Sequence, residues 1–209
     1  MSVSGRDKAY RYLKNSILSD PAAQGGFINE QEIADQVGVS RTPIREALLM
    51  LAAEELVQLV PNRGAYIAPL TGKDLSELIE LRGTLERFAA EKTLKAGAVP
   101  LAEMRKTLKQ QEELEGMDNA KAFIELDTHF HTLLIQASGN AMLARTYETL
   151  WARQVRAGLV AMFGATDRRT AVLAEHQAIV DALAAGDVTA TLAAIDDHLG
   201  TTLKIQLTN

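Results

Sequence analysis

A chain of 209 residues, 47% hydrophobic and 23% charged, has a globular composition and is long enough for two domains with a core in each. No apolar run approaches the roughly 20 residues that span a bilayer, the opening MSVSGRDKAY lacks a signal peptide's apolar stretch, and the absence of cysteine excludes disulfides and thiolate metal sites; the expectation is a soluble, cytoplasmic protein with no membrane partner. The net charge of −5 weighs against nucleic-acid binding as a bulk property, yet residues 1–70 are nearly balanced, with seven Lys/Arg and eight Asp/Glu, while residues 71–209 hold fifteen and nineteen.

In chain order, residues 6–19 place Ala9, Tyr10, Leu13, Ile17 and Leu18 on one helical stripe, with Lys8, Arg11 and Lys14 near the opposite side. Gly25 and Gly26 break the pattern. Asn29 then caps a short helix, EQEIADQVG, whose Ile33, Ala34 and Val37 face inward and which Gly38 ends. After a tight turn, Ser40 is placed to cap a third helix, RTPIREALLMLAAEEL, with Pro43 in its first turn and Ile44, Ala47, Leu48 and Leu51 spaced for burial. LVQLV and AYIA flank the turn PNRG, a β-hairpin pattern with Arg63 at its tip. Three helices and a hairpin make a winged helix-turn-helix. Pro69 to Gly72 read as the linker, because Pro stops the strand and Thr71 can cap the next helix.

From Asp74 the apolar period is 3.6 to the end of the chain, which predicts six helices at approximately 73–96, 100–115, 119–138, 141–164, 168–185 and 188–206. Gly97/Pro100, Gly116, Gly139-Asn140, Gly164 and Gly186-Asp187 punctuate them. No internal repeat or low-complexity tract is present. The expected fold is mainly α: a winged helix-turn-helix over residues 1–70, then an all-α antiparallel helical bundle over residues 71–209.

In a helix-turn-helix the second helix lies in the major groove and its first turn meets the bases. Here that turn is Ser40-Arg41-Thr42-Pro43-Ile44-Arg45. Arg41 and Arg45, four residues apart, project from one side, where forked guanidiniums bond guanine or clamp phosphates. The Ser40 and Thr42 hydroxyls suit phosphate oxygens. Arg63 on the wing reaches the flanking minor groove or backbone, and Gly64 lets the turn come close.

The stretch INEQEIADQVGVSRTPIREALLMLAAEELVQLVPNRGAYIA strongly resembles the DNA-binding domain of the GntR superfamily of bacterial regulators. The resemblance implies that Arg41, Thr42, Arg45, Arg63 and Gly64 occupy operator-contacting positions. It departs at Gln31, where several members carry an arginine, and a phosphate contact is expected to be lost or altered there.

Asp127 and His131 stand at i, i+4 in FIELDTHFHTLLIQASGN, on the same face as Phe123, Phe130 and Leu134. His176 lies on an apolar stripe with Val172, Ile179 and Val180, and His198 shares a face with Ile195. One carboxylate and three imidazoles aimed inward from three helices form a borderline-hard donor set suited to Zn(II), Ni(II), Mn(II) or a similar divalent ion. His129 points away from the others on the helical wheel. Taken singly, each histidine reads as an ordinary hydrogen-bonded core residue; the grouping is what points to a metal.

These segments resemble the FCD ligand-binding domain of the FadR-type branch of the same superfamily. That resemblance implies Asp127, His131, His176 and His198 as metal ligands, a homodimer, and Arg82 in ELRGTLE near an effector pocket. Arg82 suits bidentate capture of a carboxylate, with Arg153 and Arg156 as weaker candidates. The expected function is a non-enzymatic regulator whose affinity for palindromic operator DNA responds to a small organic acid. The alternatives are a metalloenzyme with an accessory DNA-binding domain, disfavoured because no acidic side chain stands out as a general base, and a regulator with a purely structural metal.

Overall fold

The computed structural model describes residues 4–17, 20–114, 119–164 and 167–208. The chain divides into two compact units, Met1–Leu70 and Thr71–Asn209. No helix among the described residues is long and apolar enough to cross a membrane.

In the first unit α1 (Gly5–Tyr12) continues into one wider π-type turn, Leu13–Ile17. The Ser4 hydroxyl accepts from Asp7 N at the start of α1. Ala9 and Leu13 are buried; Leu18 and the Ile17 side chain lie outside the described residues. Lys14 is not on the solvent side as expected: it turns inward to Glu54 at 3.1 Å, beside the Tyr10 hydroxyl that donates to the same carboxylate at 2.6 Å.

Next come α2 (Glu30–Val37) and α3 (Arg41–Ala53). The Asn29 side chain accepts from Gln31 N and Glu32 N, and Gly38 ends α2 with φ 70°. Ser40 precedes α3 without a side-chain cap. The helix also stops short of its expected end, because Glu55 takes φ 57° and Leu56 N closes back onto Leu51 O at 2.9 Å. Ile33, Ala34, Ile44, Ala47, Leu48 and Leu51 are buried together.

Strands β1 (Gln58–Val60) and β2 (Gly64–Tyr66) pair antiparallel, with Val60 opposite Gly64. Arg63 N donates to Val60 O across Pro61-Asn62, and Asn62 has φ 60°, so Pro and a left-handed residue fill the two central positions of a type II turn. Residues 25–28 line the free edge of β2 through Ile28 N to Ala65 O and Ile67 N to Gly26 O. The Gly25-Gly26 break is thus the start of a third, irregular strand, and the winged helix-turn-helix expectation is borne out.

The second unit is helical throughout its described residues: α4 (Gly72–Ala96), α5 (Leu101–Glu112), α6 (Ala120–Ala137), α7 (Ala141–Thr149), α8 (Trp151–Gly164), α9 (Arg168–Ala185) and α10 (Val188–Thr208). Thr71 and Asp74 form a reciprocal capping box at the start of α4. The single helix expected over 141–164 is two, broken at Leu150. Gly116 lies outside the described residues. α10 packs along α4 and α9, and α6 lies against α4, α5 and α8. One part of the core gathers Phe123, Ile124, Val155, Leu159, Met162 and Val172 from α6, α8 and α9.

Candidate functional site

In the first unit an open groove of about 810 Å³ runs between α3 and the wing, bordered by Arg41, Arg45, Asn62, Arg63 and Gly64. Arg41 and Arg45 expose about half of their side chains, 52% and 60%. Both turn to one carboxylate that sequence reasoning missed: Glu30 Oε2 accepts from Arg45 Nε at 2.8 Å and from Arg41 Nη2 at 3.0 Å. Partial burial opposes its ionisation, but hydrogen bonds from the two guanidiniums hold the Glu30 carboxyl below its ordinary range. Glu30 sits in the first turn of α2, where a helix-dipole role is the usual reading of an acid. Ser40 and Thr42 are exposed at the start of α3. Gln31 donates to Asp35 along α2 at 2.9 Å. The Arg63 guanidinium lies 4.8 Å from the Phe27 ring centre, a cation–π contact on the wing.

In the second unit Asp127 and His131 on α6, His176 on α9 and His198 on α10 come together, each offering one donor atom within 4.8 Å of all the others. The three histidines are buried. Two donors across a metal with bonds of about 2.0–2.2 Å stand roughly 4.2 Å apart, so the cluster needs only a small contraction to share an ion. His129 is exposed.

The outer shell sets which nitrogen faces the centre. Gln111 Nε2 on α5 donates to Phe123 O at 3.2 Å, which fixes its amide and presents Oε1 to His176 Nδ1 at 3.0 Å. An amide oxygen only accepts, so His176 Nδ1 carries the proton and Nε2 keeps its lone pair. Glu175 Oε2 does the same for His198 Nδ1 at 2.7 Å. Glu86 Oε2 lies 2.8 Å from His131 Nδ1. The Nε2 atoms of His131 and His176 are buried without hydrogen-bond partners, the latter 3.3 Å from Asp127 Oδ1. Orphaned imidazole nitrogens directed at a carboxylate are what a cation's donor set looks like before coordination.

Charge states agree with that role. Burial lowers His176 to about 4, and it stacks on Phe130 at 4.2 Å. Burial also lowers His198. For Asp127 burial opposes ionisation, but the His176 contact and the neighbouring imidazoles hold its carboxyl well below the ordinary range. An anionic carboxylate beside the His176 and His198 rings, whose protonation burial disfavours, suits a cation.

Arg82 is buried. Its Nε donates to Glu86 Oε1 at 3.0 Å, the Tyr147 hydroxyl donates to the same oxygen at 2.8 Å, and Nη2 has no partner. Beside it a small, partly open space of about 20 Å³, enough for one water-sized guest, is walled by Asp127, Gln154, Arg168, His198 and Gln206. Arg153 and Arg156 do not line this space, whereas Arg168, which sequence reasoning missed, does. The Arg168 guanidinium is held by Glu175 at 2.7 Å and Thr202 at 2.6 Å. Acidic side chains therefore do stand beside the cluster, contrary to expectation: Glu86 and Glu175, each facing an imidazole Nδ1 and an arginine.

Comparison with known proteins accords with both units. Residues 6–67 match the bacterial regulatory proteins of the gntR family, and residues 77–201 match the FCD domain. An HTH-type transcriptional regulator from an unstable DNA locus of Streptomyces ambofaciens is 32% identical over 202 residues, 94% of this chain and 82% of that protein. A probable D-xylose utilization operon transcriptional repressor of Paenarthrobacter nicotinovorans is 30% identical over 175 residues, 84% of this chain and 76% of that protein. The crystal structure of a GntR transcriptional regulator from Rhodococcus sp. RHA1 superposes with a TM-score of 0.85 at 23% identity, covering 99% of each chain, and shares the fold. The chain belongs to the gntR family of bacterial regulatory proteins, with an FCD second domain, and is a DNA-binding transcriptional regulator.

Proposed function

We propose that this regulator is a metal-dependent sensor of a small organic acid, in which the FCD unit holds a divalent ion and the effector while the winged helix reads a palindromic operator. The observation that carries the sensor half is the convergence of Asp127 with three imidazoles, two of them with buried Nε2 atoms that make no hydrogen bond. Asp127, His131, His176 and His198 would hold Zn(II), Ni(II) or Mn(II). The bound ion supplies a Lewis-acidic anchor for a carboxylate oxygen. Arg82 Nη2, buried and unpaired, supplies the second anchor. Glu86 and Tyr147 keep the Arg82 side chain in place.

In the DNA-binding half, Arg41 and Arg45 read or clamp the major groove, Ser40 and Thr42 meet phosphates, Gln31 alters the phosphate contact that an arginine makes at that position, and Arg63 with Gly64 approach the flanking minor groove. On α4, Leu81 and Phe88 are seven residues apart, hence on one face, and both are exposed. That apolar face suits a homodimer, whose two-fold axis gives the operator its palindromy. The effector acts by favouring one arrangement of the dimer over another. The two carboxylates nearest the cluster, Glu86 and Glu175, are engaged by arginine and imidazole, which favours sensing over hydrolysis.

The test is selection of operators from random duplex DNA by the Zn-loaded full-length protein, followed by titration with short carboxylates. A palindromic consensus whose affinity changes with one of them is expected. No enriched sequence would count against the groove assignment, and an operator indifferent to every carboxylate against the sensor.

A further inference from the structure

Two leucines stand in the groove between α3 and the wing, on a surface whose affinity for phosphates needs only cations. Leu49, one helical turn beyond Arg45 on α3, is 59% exposed, and Leu59 on β1 is 47% exposed; both line the groove together with Arg41, Arg45 and Arg63. A single exposed leucine is ordinary, but two from different elements on one concave surface rimmed by guanidiniums mark a place that meets another molecule. The patch is continuous with the arginines of a DNA-binding regulator, so that molecule is duplex DNA. A leucine can neither donate nor accept a hydrogen bond, and the one apolar group that a base pair presents in the major groove is the C5-methyl of thymine.

We propose that Leu49 determines base specificity by packing on the C5-methyl of a thymine in the operator, beside the groups held by Arg41 and Arg45. This rests on the assignment of α3 to the major groove. Arg41, Arg45 and Leu49 recur every four residues and so share one side of the helix. Leu49 stands about 6 Å further along the axis than Arg45, roughly two base steps. A reading helix contacts bases through side chains spread over about two turns, and Thr42 to Leu49 lies within that reach. Packing on the methyl removes apolar surface of both partners from water. Cytosine at the same place presents an amino group, which a leucine would strip of water without replacing the hydrogen bond. Leu49 carries no charge and adds little to the salt-dependent affinity for random duplex, so its effect falls on the choice of sequence.

The experiment selects from two random duplex libraries, identical except that one contains thymine and the other deoxyuridine, which pairs alike and lacks only the C5-methyl. Full-length wild type, Leu49→Ala and Leu49→Met are compared; the position is exposed and helical, so both variants should fold, and thermal melting confirms it. Wild type should enrich one thymine in each half-site of the first library that becomes indifferent in the second, while guanine positions persist in both. On the recovered duplex, replacing that thymine by deoxyuridine should raise Kd about fourfold for each half-site, the effect of one methyl-sized group. Leu49→Ala should bind the two duplexes alike, and Leu49→Met, apolar and of similar reach, should keep most of the difference. The same consensus from both libraries, or a thymine preference that survives in Leu49→Ala, overturns the methyl contact while persistent guanine positions leave α3 as the reading helix. A Leu49→Ala protein that sediments differently yet selects the wild-type consensus also overturns it, and assigns the leucine to a protein contact. No consensus from either library removes the α3 assignment itself, and this inference with it.

Discussion

The carboxylate of Glu30, in the first turn of α2, accepts a hydrogen bond from Arg45 Nε at 2.8 Å, and Arg41 shares the same oxygen. Two guanidiniums of the candidate reading surface are therefore aimed by one acid, whose charge also opposes the approach of phosphates. Glu30→Gln removes the charge and loosens the aim. Affinity for random duplex DNA should rise, while the ratio of operator to random binding falls by about tenfold, on the order of one well-made base contact. Fluorescence anisotropy on both duplexes measures this; an unchanged ratio would mean that Glu30 does not position the arginines.

Arg45→Ala tests the groove assignment directly. Operator affinity should weaken by on the order of 1–3 kcal/mol, with zinc and carboxylate binding unaltered. A variant with wild-type operator affinity would rule α3 out as the reading helix.

Gln111 touches no donor atom of the proposed centre other than through His176. Gln111→Leu should weaken zinc affinity by about 10–100-fold, since His176 loses the acceptor that keeps Nε2 unprotonated. Gln111→Glu, which still accepts at Nδ1, should retain most of it. Competition against a chromophoric chelator separates the two; equal loss in both would indicate a packing role only.

The metal-free protein should lose stability in mild acid. Burial holds His176 at about 4 against an ordinary 6.5, so below 6.5 the unfolded chain takes up a proton that the folded one refuses. Stability is complete above 6.5 and declines as pH falls toward 4, by up to roughly 3 kcal/mol from this group. Glu86 and Asp127, held well below their ordinary values, do not reprotonate in the folded state over that window. Urea midpoints at pH 7.5 and pH 5 check the direction; a midpoint that does not drop at pH 5 contradicts it.

Gly158 on α8 faces Ile124 so closely that a Cβ would lie 2.7 Å from Ile124 Cγ2. Gly158→Ala should cost about 1–3 kcal/mol through overpacking, and Ile124→Val in the same chain should recover only part of it, because valine retains a γ-methyl at that point. Thermal melts of the single and double variants decide the matter; an unchanged melting temperature in Gly158→Ala would show that the wall moves freely.

Legibility in the sequence depended on the kind of signal involved. Asn29, Gly38 and Thr71 announce helix ends through their own chemistry, and each acts as expected. The break at Leu150 does not announce itself, since TYETLWARQ carries no glycine or proline and its apolar period runs on across the junction of α7 and α8. Asp127, His131, His176 and His198 were visible because histidine on an apolar stripe is uncommon. Glu30, Glu86, Gln111 and Glu175 were not, because an acid or amide among many others on a helix has no local mark, and their partners lie 15, 45, 65 and 23 residues away. Outer-shell residues are defined by tertiary contact alone.

The last helix ties the cavity to the connector. α10 bears His198, Thr202 and Gln206 along the cavity and, one residue further, Leu207, whose methyl lies 3.1 Å from where a Gly72 Cβ would sit. From His198 to Leu207 is roughly 13 Å of continuous helix. Anything that tilts α10 at the imidazole end is thus transmitted, as by a stiff rod, to the first helical residue after the connector. Gly72, with no side chain to cushion it, is where such a push would be registered.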